Sequence, residues 1–259
     1  MHLEGNPDSP RLVTSRTKQD ITERMVQWAQ KRVVDLEKEG LLGFIFKSDS
    51  PSSGMERVKV YNEKGMPVKA GTGMFARMFM EHFPLLPVED EGRLNDPKLR
   101  ENFIDRIFAL KRWRGVLEKK ESRGVLVEFH TKHKLLILSH SAKHYQMMGK
   151  LVAKAKEISI KELYQHYQAI LMEALQFKTT PKKNSNVLQH MMGYFKESLS
   201  SDEKQELLEV IENYRQENIP LIVPITLIQH YVRKVNQLYL KEQVYLNPHP
   251  LELQLRNHV

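Results

Sequence analysis

The hydrophobic rhythm of the chain changes once, from short mixed segments to long helical ones. From Asp20 to Glu39, Ile21, Met25, Trp28, Val33 and Leu36 recur at helical spacing, and Gly40 follows where a C-cap glycine is favoured. Leu41 to Phe46 is a short, continuous apolar run of the kind found in buried parallel strands. In the next stretch, Ser48-Asp49-Ser50-Pro51-Ser52-Ser53-Gly54, nearly every residue is a turn former. Val58, Val60 and Tyr61 then alternate as a second strand, and Asn62 to Gly65 turns it. Gly71-Thr72-Gly73 opens a helix from Met74 to about His82, and Pro84 to Val88 reads as a third short strand. A helix from Pro97 to about Arg112 closes this α/β part, its proline suited to a first helical turn.

Residues 111–124 are charged and glycine-punctuated, and the domain boundary is expected there. Beyond it the rhythm is helical throughout. One long helix is predicted from about Leu126 to Lys156. Ser159 with Glu162 makes a capping box for the next, whose buried stripe is Ile160, Leu163, Tyr167, Ile170, Leu171 and Ala174. Pro181 to Ser185 reads as a loop before a third helix carrying Val187, Leu188, Met191, Met192 and Phe195. Ser200 with Glu203 starts a fourth, and Pro220 and Pro224 frame the start of a fifth that runs through Leu227, Ile228, Tyr231, Val235 and Leu238. Pro248 and Pro250 prevent the end of the chain from continuing as helix. The expected organisation is a two-part α+β chain: an α/β domain over 1–113, a linker over 114–124 and an all-helical bundle over 125–259.

Composition narrows the chemistry. None of the 259 residues is a cysteine, which excludes disulfides, thiolate zinc sites and cysteine nucleophiles. No apolar run approaches the roughly 20 residues of a membrane helix. The opening residues lack the basic and apolar regions of a secretion signal, so a cytoplasmic address and no membrane partner are expected. The net charge of +8 is concentrated: residues 111–200 hold 17 Lys/Arg against 7 Asp/Glu, which is +10. Such a segment either attracts nucleic acid or nucleotides or is simply a solvated helix face.

Histidine is the most suggestive chemical feature. On one long helix His133, His140 and His144 would fall within about 40° of one another, with His130 roughly 60° to one side. The i, i+4 spacing of His140 and His144 would let two imidazoles reach one metal, but the stretch has no HExxH pattern and no carboxylate on that face. A row of imidazoles bonded to neighbouring helices is the alternative, and no metal site is predicted. The serine loop, through Ser50, Ser52, Ser53 and Gly54, and the helix entrance at Gly71 and Gly73 could offer N–H groups to a phosphate, or be ordinary turns. Glu89, Asp90 and Glu91 beside Arg93 could form a magnesium site or a charge clamp, with salt bridges or a solvated loop as the favoured reading. Lys178, Lys182 and Lys183 extend the basic segment. The sequence shows little interleaving of aromatic with basic residues, which argues against stacking on single strands.

Motifs in order carry a resemblance. Phe129-His130-Thr131-Lys132-His133-Lys134, Tyr145 to Gly149, Asn186 to His190, Gly193-Tyr194-Phe195-Lys196, Ile219 to Pro224 and Gln243 to Leu246 closely resemble the YbgA-type domain of unknown function, over about 125 to 256. The first part resembles the C-terminal portion of thiouracil-desulfidase-like domains, through Lys47 to Gly54, Val58 to Tyr61, Gly71 to Ala76 and Pro87 to Leu94. That second resemblance implies a doubly wound α/β fold, here truncated because the cysteine-bearing N-terminal stretch has no counterpart. It also implies relatives that remove sulfur from thiolated pyrimidines with a four-iron cluster on three cysteines. Ser53 stands at one of those cysteine positions, and a hydroxyl is a harder ligand of far higher pKa than a thiolate. No cofactor is therefore expected in this chain.

Together these readings point to an accessory, non-catalytic binding protein for a small anionic ligand, a nucleotide or nucleobase. The ligand residues would be His130, His133, Lys134, His140, Asn186, His190, Lys196 and His230, with imidazoles and amides fixing a heterocycle and Lys134 and Lys196 meeting its phosphate. The alternatives are an incomplete part of an iron–sulfur desulfidase, which would make the chain a piece of an enzyme, and a nucleic-acid-binding module. A truncated sheet would leave an unpaired edge, so the helical half is expected to be the more stable, with a protease-resistant core near 121–259.

Overall fold

The computed structural model describes residues 1–258. They form two compact units, Met1–Asp96 and a second that begins at Pro97. The first is small and mixed. Strands β1 (His2–Glu4), β2 (Arg11–Val13), β4 (Val58–Tyr61) and β5 (Pro67–Gly71) form a sheet in the order β2-β1-β4-β5. Within it β1 runs antiparallel to β2 and parallel to β4, and β4 runs antiparallel to β5. Strands β3 (Phe44–Phe46) and β6 (Val88–Asp90) form a separate parallel pair. On β4, Val58 and Val60 are buried and Lys59 is exposed, the period of two that puts one face on a core with Leu3 and Leu12. A second apolar centre is aromatic: Phe44, Phe46, Phe75 and Phe79 pack with ring centroids 4.3–6.0 Å apart.

Two helices complete this unit, α1 (Thr22–Glu37) and α2 (Met74–His82). The predicted inner stripe of α1 is corrected at Trp28, which is 53% exposed; the buried residues are Ala29, Val33 and Leu36. Strands β1, β2 and β5 were not anticipated, since three to five residues are too few to display a period.

The second unit is built from α3 (Pro97–Leu117), α4 (Arg123–His140), α5 (Ala142–Ala153), α6 (Ile160–Gln176), α7 (Pro181–Met192), α8 (Ser201–Arg215), α9 (Ile222–Lys234) and the short α10 (Leu238–Lys241). Helix α3 belongs to this unit, so the compact units divide before Pro97, ahead of the segment 114–124 expected to be a linker. The reason is Trp113. Its ring is fully buried, lies against Phe129, Tyr164 and Tyr167 at 5.1–5.5 Å, and its indole N–H donates to Gln168 at 2.9 Å.

Two further helix boundaries differ from expectation. The long helix from Leu126 to Lys156 is broken at Ser141, which leaves helical geometry (φ −155°, ψ 112°) and caps α5 with its hydroxyl. Pro181 opens α7 instead of lying in a loop, because the Thr180 side chain accepts from Lys183 N–H and proline suits the first turn. The capping box at Ser200 and Glu203 is present in full.

Candidate functional site

The serine loop folds over the start of α2. The carbonyls of Pro51, Ser52 and Gly54 accept from Met74, Phe75, Ala76 and Gly73 N–H at 2.7–3.3 Å, and Ser50 accepts from Ser53 and Gly54 N–H. A methyl group at Gly73 would lie 2.5 Å from the Ser52 carbonyl carbon, and one at Gly54 2.8 Å from Ser50 O. At Gly71 the added carbon would meet Val60 at 2.5 Å. Glycine is required here for close backbone approach, and the donors that an anion would use are engaged within the loop. Ser50 and Ser52 hydroxyls lie 3.2 Å apart. The acids in and just after β6 are paired: Glu89 with Arg93, which also takes Glu56, Glu91 with Lys47, and Asp90 with the Ser48 hydroxyl. The loop's hydroxyl donors do not fit an iron–sulfur cluster. Among the described residues no group of three or more His, Asp or Glu could hold a metal ion.

The eight ligand residues expected in the helical unit do not converge. The helix breaks at Ser141, and His140 and His144, though both lie against Phe177, take different partners. His130 meets the Tyr167 hydroxyl at 3.2 Å, His133 donates from Nδ1 to Phe129 O at 2.8 Å, and His140 donates to Phe177 O at 2.7 Å. His144 lies 2.7 Å from the Ser141 hydroxyl and 3.2 Å from Glu173. Burial pulls His130 down to about 4, aided by the charge of Lys134, and pulls His133 down to about 3. These rings are neutral core groups at neutral pH. Asn186, His190, Lys196 and His230 are exposed on other helices, and Lys134 is half-buried on α4.

Sequence reasoning missed a buried charge cluster that ties the end of the chain to α3. Asp105 lies 3.8 Å from both His140 Nε2 and His249 Nε2, and Glu101, one turn earlier, lies 3.4 Å from Arg256 Nε and 3.5 Å from His258. Burial, reinforced by the Asp105 charge, raises Glu101 to about 7. Burial also pushes Asp105 upward, but His140, Arg256 and His249 outweigh it and hold its carboxyl below the usual range. Beside this cluster a small crevice of about 30 Å³ is lined by Glu101, Thr180, Asn184, Tyr214, Leu221 and Arg256. Asn184 there bonds Tyr214 and Tyr245 hydroxyls at 2.9 and 3.1 Å. The available signal was the i, i+4 pair of acids, Glu101 and Asp105, in an otherwise apolar-spaced helix.

The other polar feature is a basic surface. Helix α5 contains no acid, and the exposed Lys143 and Lys150 on it and Lys154 at its C-cap fall within about 40° of one another around its axis. Lys178 and Lys182 are exposed around the turn into α7, next to Phe177, which is 48% exposed. None of these five lysines has an ion-pair partner among the described residues. The N-terminal end of α5 meets the turn into α7, the His144 and Phe177 rings being 5.3 Å apart.

Residues 134–250 match a family described as a protein of unknown function, DUF1722. The uncharacterized protein YbgA of Escherichia coli (strain K12) is 30% identical over 165 residues, which cover 63% of this chain and 98% of that protein. This chain belongs to the YbgA-like family. Its YbgA-like region lies in the helical unit that carries both the charge cluster and the basic surface. Residues 1–91 match a second family, 2-thiouracil desulfurase, over the small mixed unit. No solved structure matches. No helix of the described residues is long and apolar enough to cross a membrane.

Proposed function

We propose that the YbgA-like unit is a non-catalytic module that binds nucleic-acid phosphates, and that it serves the thionucleobase chemistry named by the N-terminal match. The observation that carries this reading is the acid-free helix α5 with its aligned Lys143, Lys150 and Lys154, continued by Lys178 and Lys182. Along α5 these lysines are spaced by roughly 10 and 6 Å, a ladder suited to successive phosphates. An extended polyanion fits it better than one nucleotide, because the eight residues expected to grip a nucleotide are spread over separate helices. Binding by three to five such contacts gives a log–log salt slope of about −2 to −3.5 on single strands. Anisotropy of a labelled single-stranded RNA between 50 and 200 mM salt tests this. Affinity that ignores salt, or no binding at the lowest salt, rejects it.

A second reading, a nucleobase held by one edge at the mouth of the crevice, is favoured by the polar groups there, Glu101, Asn184, Tyr214 and Arg256, which suit the donor and acceptor edge of a heterocycle. Calorimetry with 2-thiouracil and with uridine monophosphate tests it, and absence of heat from both removes it. Desulfurase chemistry in its own right is not supported by the hydroxyl donor set around Ser53.

A further inference from the structure

The sequence offers little interleaving of aromatic and basic residues, yet the fold assembles it from three helical segments. Tyr194, in a single 3₁₀ turn after α7, is stacked on Tyr239 of α10, with ring centroids 4.8 Å apart and planes 24° from parallel. Lys134 of α4 places its ammonium 5.0 Å from the centroid of the Tyr239 ring. Tyr194 remains 42% exposed, Leu238, the chain neighbour of Tyr239, is 65% exposed, and Lys196 is exposed two residues beyond Tyr194. Two features set the patch apart from a random surface aromatic. The stack is held from beneath, because Gln237 donates to Tyr194 O at 3.4 Å and caps α10 by accepting from Tyr239 N–H. The rim is cationic: Lys134 forms no ion pair among the described residues, while its neighbour Lys132 is taken by Glu128 and Glu242.

We infer that Tyr194, backed by Tyr239, is a stacking platform for one unpaired nucleobase, with Lys134 and Lys196 meeting the flanking phosphates. The inference rests on the nucleic-acid reading and adds to it a place where a base, in addition to the backbone, is bound. The physical argument is that a half-exposed tyrosine already braced by a second ring loses little freedom on stacking. Its ring accepts any base, since every base has a π-face. The cation beside the stack supplies the phosphate contact that positions the strand without reading its sequence. Of the residues picked from sequence, Lys134 touches the stack and Lys196 lies two positions beyond Tyr194, whereas the histidines picked with them are core groups or lie elsewhere.

The test compares two probes on the full chain: a labelled twelve-nucleotide oligouridylate, and a twelve-unit abasic strand with the same phosphates. Tyr194→Ala is expected to weaken oligouridylate binding about tenfold, in the range for loss of one base stack, and to leave the abasic strand unchanged. Tyr194→Phe should retain wild-type affinity for both. Lys134→Ala should weaken both probes and lower the salt slope by a fraction of a unit to one. Thermal melts of the variants check that the fold is kept, and Tyr194→Phe supplies the comparison if the alanine variant is unstable. Equal effects of Tyr194→Ala on the two probes, or none on either, overturn the platform while leaving phosphate binding in place. Absence of binding by the wild-type chain to both probes overturns the nucleic-acid reading and the platform together.

Discussion

At the scale of single residues, the helical unit holds titratable groups in the states that burial selects. His133 in the folded chain sits near 3, against 6.5 for the free side chain, so it stabilises the fold fully above about pH 6.5. That contribution is lost as pH falls from 6.5 toward 3, and His130, near 4, adds to it. Glu101 runs the other way. Its carboxyl titrates at about 7 instead of 4.5, so its contribution is complete below 4.5 and is lost as pH rises through 7. Chemical denaturation of His133→Gln at pH 4.5 and 7 should give a shallower acid loss than wild type, by on the order of 1–3 kcal/mol. Glu101→Gln keeps an acceptor for Arg256 and should flatten the change between pH 5 and 8. Unchanged pH profiles would contradict these assignments. The histidine types and positions were visible in the sequence, but not their roles. Periodicity treats 126–156 as one cylinder, whereas a single hydroxyl at Ser141, capping a new helix, divides it.

At the scale of elements, the legible features were those whose signal is local. Ser200 and Glu203 cap α8 as their spacing requires, and Val58 and Val60 face a core as alternation requires. The features that failed needed partners distant in sequence: Trp113 draws α3 into the helical core, and Tyr194 meets Tyr239 across a separation of 45 residues. The serine loop lies between these cases. Its turn chemistry was readable, but its purpose was not, because only the three-dimensional contact shows Gly73 pressed onto the Ser52 peptide. Gly73→Ala is expected to destabilise the small unit by about 1–3 kcal/mol, read as a shift in its denaturation midpoint. Ser141→Ala removes the α5 cap and should cost about 1 kcal/mol in the helical unit. No loss in either would contradict the packing and capping described.

At the scale of the whole molecule, the chain joins a small desulfurase-like unit without thiolates to a YbgA-like helical unit rich in lysine. Because α3 is part of the helical core, the protease-resistant fragment should begin near Pro97 and not near residue 121. Cleavage within 111–124 as the dominant product would contradict that boundary. The excess of +10 over residues 111–200 was plain in the sequence, but that five of its 17 basic residues lie along one acid-free helix and at the turn into α7 was not. The central claim is that this surface binds nucleic-acid phosphates, and a salt titration tests it most directly. Measured by anisotropy on single-stranded RNA from 50 to 200 mM salt, the full chain should lose affinity linearly on a log–log plot with a slope of about −2 to −3.5, and Lys143→Glu with Lys150→Glu should abolish binding. A slope near zero, or wild-type affinity in that double variant, would contradict the account.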